Sequence, residues 1–490
     1  MNRPTAIYSA AQVRALDAWE IEKRRVPGFT LMTRAAEGAL KILRARWPQA
    51  KRVAVVCGGG NNGGDGYVLA RLAQLAGLEA LVLAAAPPDR LTGDARRAME
   101  EWLATGGSAH PFVADALSGS DVIVDGLLGI GLSGAPRAGT LVVIRAINAA
   151  KRPVLALDIP SGVNADSGEV SEAVRAEVTV SFVALKSGLF LGAGPEHAGD
   201  VLLDDLGVVA PQTPQFAPLM RRIDEGELVS GLPPRARASH KGTHGRLLVI
   251  GGGAGMPGAL RLAGEAALRV GAGRVTAAGA PDNLLAVTAT RPELIYLPVS
   301  ASTSLDDAIR ACDVLAIGPG LGTGDWARRV WSQVRSAAVP VVVDADALNL
   351  LAANPGKLPA DWIITPHPGE AARLLGVEVR AIQADRLGSA RELHSKYGAV
   401  AVLKGAGTLV ASAAGLAICD RGNPGMATAG MGDVLTGVIA GLRAQCTESA
   451  EAARLGVLVH ALAGDSAAQG GQRGLLASDV IGELRGWVNP

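Results

Sequence analysis

Val56-Cys57-Gly58-Gly59-Gly60-Asn61-Asn62-Gly63-Gly64-Asp65-Gly66 follows an apolar run at residues 52–56 and precedes a helical stretch at 67–75. A strand that passes through glycines into a helix is the opening unit of an α/β fold. Glycine lets the backbone turn, and the helix start offers free N–H groups to an anion. Gly58, Gly60 and Gly63 match GxGxxG, but a dinucleotide fold also wants an acidic residue about 20 residues on. Residues 81–88 contain none. Asn61, Asn62 and Asp65 exceed the needs of a bare phosphate turn and read as amide and carboxylate ligands for a sugar, an amide or a hard cation.

Short Val/Ile/Leu runs continue outward from this stretch, at 79–83, 121–124, 154–157 and 178–183, alternating with Ala/Leu-rich helical segments. Such runs predict a parallel sheet covered on both faces. Ser9 and Gln12 form a capping-box pattern before a first helix whose apolar face carries Val13, Leu16 and Ile21, and a second helix is expected over 31–47. Pro211, Pro214, Pro218, Pro233 and Pro234 then mark a connector, after which the alternation restarts at 247–250, 274–278, 314–317, 341–343, 362–364 and 400–403. The chain, at 490 residues, is too long for one typical core of about 100–200 residues. Two unrelated α/β domains, 1–216 and 217–490, are the expectation.

Composition agrees. Hydrophobic residues make up 49% of the chain, which excludes intrinsic disorder, and aromatic residues only 3%, which suits cores of Ala, Val, Leu and Ile. Lys and Arg (47) nearly balance Asp and Glu (46), so no global field draws nucleic acid or an anionic membrane. Cys57, Cys312, Cys419 and Cys446 show neither a CxxC pair nor zinc spacing and read as buried thiols of a reducing compartment. The N-terminal residues lack the apolar core of a signal peptide, and no apolar stretch reaches about 18 residues. A soluble, cytoplasmic protein is the expectation.

Two more strand ends carry the chemistry of the first loop: Asp125-Gly126-Leu127-Leu128-Gly129-Ile130-Gly131-Leu132-Ser133-Gly134 and Asp158-Ile159-Pro160-Ser161-Gly162. Strand C-termini in a parallel sheet share one crevice, so Asp125 and Asp158 should face Asn61 and Asn62. GGGNNGGDG, VDGLLGIGLSG, LDIPSG and Leu185-Lys186-Ser187-Gly188-Leu189 together resemble the epimerase domain of the NAD(P)H-hydrate repair enzymes over roughly residues 10–216. That resemblance implies a Rossmann-like three-layer domain that interconverts the R and S forms at C6 of hydrated NADH and NADPH. It implies that Asn61, Asn62, Gly63, Gly64, Asp65, Gly129, Ile130, Gly131, Leu132, Ser133, Gly134, Ala135 and Asp158 hold the hydrate, and that Asn62, Asp125 and Ser161 bind K+. Exchange at a carbon bearing a hydroxyl beside a ring nitrogen needs a positioned acid or base. Asp158 is the candidate, with Lys186 second.

In the second half, Gly318-Pro319-Gly320-Leu321-Gly322, Asp344-Ala345-Asp346-Ala347-Leu348-Asn349, Thr365-Pro366-His367-Pro368-Gly369-Glu370 and Lys404-Gly405-Ala406-Gly407-Thr408 each end a strand. Ala427-Thr428-Ala429-Gly430-Met431-Gly432-Asp433 opens a helix. Its N–H groups can hold a phosphate in transfer while Asp433 accepts a hydroxyl proton, and no Walker loop is present. With HKGTHG at 240–245, these motifs resemble the ADP-dependent NAD(P)H-hydrate dehydratases, a ribokinase-like α/β branch, over about residues 222–488. The resemblance implies phosphorylation of the C6 hydroxyl followed by loss of phosphate. Ala259, Gly320, His367 and Asp433 would contact the hydrate, Lys404, Gly405, Ala406, Gly407, Thr408 and Gly432 the nucleotide, with ADP as co-substrate, AMP as product and Mg2+ as cofactor. It also implies a homo-oligomer, a tetramer being one form. One departure is visible: Ala429 stands where the family has glycine, a strain if that position needs positive φ. A vitamin or sugar kinase fused to a dinucleotide-binding module explains the 427–433 loop but not TPHPGE with KGAGT. A non-enzymatic dinucleotide sensor explains the first domain alone.

Overall fold

The computed structural model describes residues 5–132, 134–445 and 448–490, so Ser133 and Cys446 lie outside it. The chain divides into two compact units, Ala6–Leu219 and Met220–Pro490, the latter including Thr5. No helix among the described residues is long and apolar enough to cross a membrane. Cys57, Cys312 and Cys419 are buried free thiols.

The first unit begins β1 (Ala6–Tyr8), α1 (Ala10–Glu22), α2 (Gly28–Arg46), β2 (Arg52–Cys57), α3 (Asn61–Leu75), β3 (Glu79–Ala84), α4 (Gly93–Ala104) and β4 (Ala109–Pro111). It continues β5 (Val122–Gly126), α5 (Ala138–Ala149), β6 (Val154–Leu157), β7 (Val178–Phe182), β8 (Leu185–Lys186), α6 (Gly194–Ala198) and β9 (Asp200–Asp204). Seven strands form one parallel sheet in the order β4-β3-β2-β5-β6-β7-β9. Alternate residues of β2 feed opposite layers, as the two-residue strand period demands. Val53, Val55 and Cys57 pack with α2 and α3, while Ala54 and Val56 pack with Ile144 and Ile147 of α5. Strand order reverses between β2 and β5, and the crevice beyond their C-terminal ends is where such sheets hold ligands.

The capping box at Ser9 and Gln12 is present. The reading of 56–66 as a loop needs correction, because α3 already starts at Asn61. None of Gly58, Gly60 and Gly63 has positive φ. Their absent side chains serve close approach instead: a methyl on Gly58 would fall on the Leu127 carbonyl oxygen, and one on Gly63 on the Gly58 carbonyl oxygen.

The second unit begins β10 (Met220–Arg222), α7 (Gly226–Gly231), β11 (Arg246–Ile250), α8 (Pro257–Arg269), β12 (Arg274–Gly279), α9 (Leu284–Thr288), β13 (Ile295–Pro298) and α10 (Asp306–Ala311). There follow β14 (Val314–Ile317), α11 (Asp325–Val334), β15 (Val341–Val343), α12 (Ala345–Ala353), β16 (Ile363–Ile364), α13 (Pro368–Leu375), α14 (Val379–Ala384) and α15 (Arg386–Tyr397). Last come β17 (Val400–Leu403), β18 (Thr408–Ser412), β19 (Gly415–Cys419), α16 (Met431–Arg443), α17 (Ser449–Ala467) and α18 (Ala477–Trp487). Within this unit the strand order is β13-β12-β11-β14-β15-β16-β17-β18-β19-β10. Small residues let α16 lie against α8, since a methyl on Gly437 would fall on the Ala263 carbonyl.

Two expectations fail here. The sheet is not wholly parallel, because β17, β18 and β19 pair antiparallel. Their hairpin turns at Ala413-Ala414, without the Asn-Gly or Asp-Gly pair that signals such a turn. Nor is 210–240 a bare connector: β10 pairs with β19, and Leu228 of α7 is buried in the core. Prolines bound these elements but do not interrupt them.

Two candidate active sites at strand ends

In the first unit, the reversal between β2 and β5 joins three strand ends. Gly58 N–H donates to the Gly126 carbonyl (3.0 Å), seating the first turn of α3 on the end of β5. Asp125, fully buried, accepts from Ser161 Oγ (2.6 Å) and Leu127 N (3.2 Å) on Oδ1 and from Ser161 N (2.8 Å) on Oδ2. Burial still pushes its carboxyl above the usual range, against those hydrogen bonds. Asn62 Nδ2 donates to the Leu128 carbonyl (2.7 Å), and Asn62 Oδ1 is buried without a partner. Asn62, Asp125 and Ser161 thus gather on the Leu127–Leu128 backbone, with the buried Asn62 amide oxygen and the buried Asp125 carboxylate among them.

Asp158 stands beside this group. A methyl on Gly129 would lie 3.3 Å from Asn62 Cβ and 3.7 Å from Asp158 Oδ2. Asp158 adopts φ +69°, a conformation costly for a side-chain-bearing residue and concentrated at functional sites. Its N–H donates to the Val180 carbonyl (2.7 Å), and its Oδ1 accepts from Phe182 N (3.2 Å) and from Lys186 Nζ. Lys186 is fully buried, with its other protons given to Ser181 Oγ (3.1 Å) and the Phe182 carbonyl (2.7 Å). It orients Asp158 and has no donor to spare for a ligand. Asp65 on α3 is held well above the usual carboxylate range by burial, then by the charges of Asp158 and Asp17, against Lys186. Asp17 of α1, absent from the sequence expectation, is pushed up to about 6 by burial, with Lys186 opposing and Asp158 adding to the shift. Asn61, Gly131, Gly134 and Ala135 are exposed, Ile130 and Leu132 half-buried, and Gly63 and Gly64 buried, the first against the Gly58 backbone and the second against the Met32 side chain.

In the second unit, successive strand ends carry the candidates. Gly320, at φ +58°, follows β14, and a methyl there would lie 3.1 Å from the Ala259 Cβ of α8, so these two line one wall. Asp344, after β15, is buried and accepts from Lys404 Nζ (2.7 Å) and Thr436 Oγ1 (2.7 Å). Lys404, after β17, also lies 3.9 Å from Glu370 Oε2. Burial would lower the Lys404 pKa, but the charges of Asp344, Glu370 and Asp433 outweigh it and hold the ammonium above its ordinary value. A side chain on Gly432 would approach both Lys404 Nζ (3.3 Å) and Asp344 Oδ2 (3.8 Å), so the start of α16 meets the KGAGT loop at this ion pair.

Asp433 occupies the first turn of α16, where the helix dipole favours its anion. Burial, and then the Asp344 charge, nevertheless push its pKa up to about 7, against the pull of Lys404. His367 caps α13: its Nδ1 accepts from Gly369 N (3.0 Å) and Glu370 N (3.4 Å), while Glu370 Oε2 accepts from His367 N (2.8 Å). Burial and the nearby Lys404 lower its pKa, and the half-exposed ring sets Nε2 3.4 Å from Glu370 Oε1. Ala429 is not among the residues with positive φ, whereas Gly430 sits at φ +89°. The departure from the family therefore costs no backbone strain.

Sequence reasoning named Asp344 only as part of a strand-end motif and assigned nothing to Glu370, Thr436, Asp17 or Arg386. DADALN and the His367-to-Glu370 spacing were visible signals. Thr436 and Asp17, on helices distant in sequence, gave none.

Comparison with known proteins agrees in order along the chain. Residues 28–188 match the family profile described as YjeF-related protein N-terminus, and residues 247–485 the one described as NAD(P)H-hydrate dehydratase. The bifunctional NAD(P)H-hydrate repair enzyme Nnr of Coxiella burnetii is 46% identical over 489 residues, covering 99% of this chain and 100% of that one. Its Escherichia coli K12 counterpart is 43% identical over 490 residues, covering 99% and 95%. A solved ribokinase-like superfamily protein from Enterococcus faecalis V583 matches with a TM-score of 0.52 at 29% identity, over 55% of this chain and 95% of that one. Similarity of this extent, across both units and in one order, makes the chain a member of the family of bifunctional NAD(P)H-hydrate repair enzymes.

Proposed function

We propose that the chain repairs hydrated NADH and NADPH in two steps, one per unit: the first equilibrates the R and S forms at C6, and the second dehydrates the S form at the expense of ADP, yielding AMP and phosphate. The observation that carries this reading is full-length similarity to enzymes bearing that bifunctional name, joined to a separate strand-end carboxylate cluster in each unit.

In the first unit, Asp158 is the acid/base at the reacting hydroxyl. Lys186 holds it in orientation, and Asp65 and Asp17 supply carboxyls able to keep a proton near neutrality. The α3 start (Asn61, Asn62, Gly63, Gly64, Asp65) and the loop from Gly129 through Ile130, Gly131, Leu132, Gly134 and Ala135 hold the hydrate. The unpartnered Asn62 Oδ1, the buried Asp125 and the Ser161 hydroxyl fit a hard monovalent cation. K+ there would compensate the Asp125 charge and offer ligand positions to substrate oxygens.

In the second unit, Asp433 accepts the C6 hydroxyl proton as that oxygen attacks the β-phosphorus of ADP. The bond to the α-phosphate oxygen breaks and AMP departs. The phosphorylated carbon then loses inorganic phosphate and a proton from the adjacent carbon, restoring the dihydropyridine. A carboxyl with pKa about 7 suits a base working near neutrality. Lys404 and the backbone of Gly405, Ala406, Gly407, Thr408 and Gly432 meet the nucleotide, and Ala259, Gly320 and His367 the hydrate. Mg2+ would come in on the nucleotide phosphates, which supply its oxygen ligands. Mg2+ supplies charge neutralisation of the transferring phosphoryl group. The protein acts as a homo-oligomer in the cytoplasm. Mixed R and S hydrated NADH with ADP, ATP or no nucleotide, followed at the reduced-nicotinamide absorbance, tests the proposal. Recovery with ADP is expected, and no recovery with any nucleotide would overturn it.

A further inference from the structure

Arg386 opens α15 and is buried, 7% exposed. Among the described residues it has no carboxylate within ion-pair distance, and burial lowers its pKa. A buried guanidinium without a counter-charge is expensive, so something must compensate it. Its donors go mainly to one segment, Nη2 to the carbonyls of Gly407 (3.1 Å), Leu403 (3.4 Å) and Lys404 (3.4 Å) and Nη1 to Lys404 O (3.4 Å), with one further bond from Nη1 to Gln383 Oε1 of α14 (3.4 Å). Nε is buried without a partner. These bonds are long for a charged donor, and most of them fall on the backbone of KGAGT. Gly405 bends over the guanidinium at φ +134°, where a methyl would lie 3.0 Å from Nη1.

Peptide planarity gives this contact a consequence. A carbonyl drawn inward aims the N–H of the next residue outward. Inward carbonyls at Leu403 and Lys404 aim the N–H groups of Lys404 and Gly405 away from Arg386. The Lys404 N–H is taken by the Pro366 carbonyl (2.9 Å), whereas that of Gly405 has no acceptor among the described residues. We propose that Arg386 is the positioning residue of the nucleotide loop: it fixes the outward N–H of Gly405 for an anion, and the anionic nucleotide across the loop completes its missing counter-charge. The proposal rests on the reading of residues 404–408 as the nucleotide site.

The test measures ADP affinity by calorimetry and steady-state dehydration on the full chain, for wild type, Arg386→Met, Arg386→Lys and Gly405→Ala. Loss of supporting contacts of this kind weakens binding between about ten- and a hundredfold, so the dissociation constant and KM for ADP should rise by that factor in Arg386→Met. At saturating ADP, kcat should stay within about threefold, because the loss lies in ground-state binding. Arg386→Lys keeps the charge but not the fork and should lose at least about fivefold. If Arg386→Met does not fold, Arg386→Lys decides alone. ADP binding unchanged in the Arg386 variants, with Gly405→Ala weakened, overturns the proposal. A fall in kcat as large as the rise in KM overturns it too, as general loosening would do. ADP binding unchanged in all three variants would instead remove the nucleotide reading of the loop.

Discussion

Gly60 and Gly63 lie three residues apart in one motif, yet the structure gives them opposite tolerance. A methyl on Gly60 meets nothing within 4 Å, and its φ of −114° suits any residue. A methyl on Gly63 falls about 1 Å inside the closest approach of carbon to the Gly58 carbonyl oxygen. Gly58 cannot retreat, because it already abuts the Leu127 carbonyl. Overpacking of this kind costs about 1–3 kcal/mol, offset by the roughly 0.5–1 kcal/mol that alanine gains over glycine inside a helix. The displacement passes to Leu127 and Leu128, the backbone that Asn62 and Ser161 grip, so it reaches the first site directly. Misplacement of about 1 Å at a reacting centre costs on the order of 10²-fold in rate. With pure R hydrate and ADP, Gly63→Ala should therefore slow absorbance recovery by that order, leaving recovery from pure S hydrate unchanged. Gly60→Ala should match wild type in both. R-hydrate repair by Gly63→Ala within about twofold of wild type, or equal damage from Gly60→Ala, would refute the packing argument.

Three further outcomes are expected. Asp433 must lose its proton before it can accept another, so kcat/KM for dehydration should rise with pH through about 7; Asp433→Asn should abolish nucleotide-dependent repair but not epimer exchange, and full repair by it would place the base elsewhere. Ser161→Ala removes the hydroxyl between Asp125 and Leu128, and the K+ concentration that half-activates epimer exchange should rise about tenfold or more, an unchanged K+ dependence counting against the cation site. Co-expressed fragments divided after Ala217 should both be soluble, whereas division after Leu232 strips β10 and α7 from the second unit and should leave it aggregated; equal solubility would show that these elements are dispensable.

Much of the fold was legible because it is written locally. Apolar runs at strand length, separated by helical stretches, specify parallel α/β layers, and a glycine-rich turn at a strand end marks where a ligand can approach. The Ser9 capping box needed only two residues three apart. Legibility failed where the local signal was absent or served another purpose. The β18–β19 hairpin turns on two alanines, and the prolines around 210–240 bracket elements that the second core requires. Gly58 and Gly63 looked like parts of a turn and are spacers between backbones.

The sequence by itself determined the fold class, the two-part organisation and the strand ends at which the chemistry would gather, because each depends on neighbours within a few residues. The tertiary structure alone decided which side chains meet there. Asp344 is joined to Lys404 across 60 residues and to Thr436 across 92, and Ser161 reaches Asp125 across 36. Such pairs exist only once strand order is fixed, since that order, and not distance along the chain, sets which loops share a crevice. Burial follows from the same packing. It is what lifts Asp433 toward neutrality and leaves Arg386 without a carboxylate partner among the described residues.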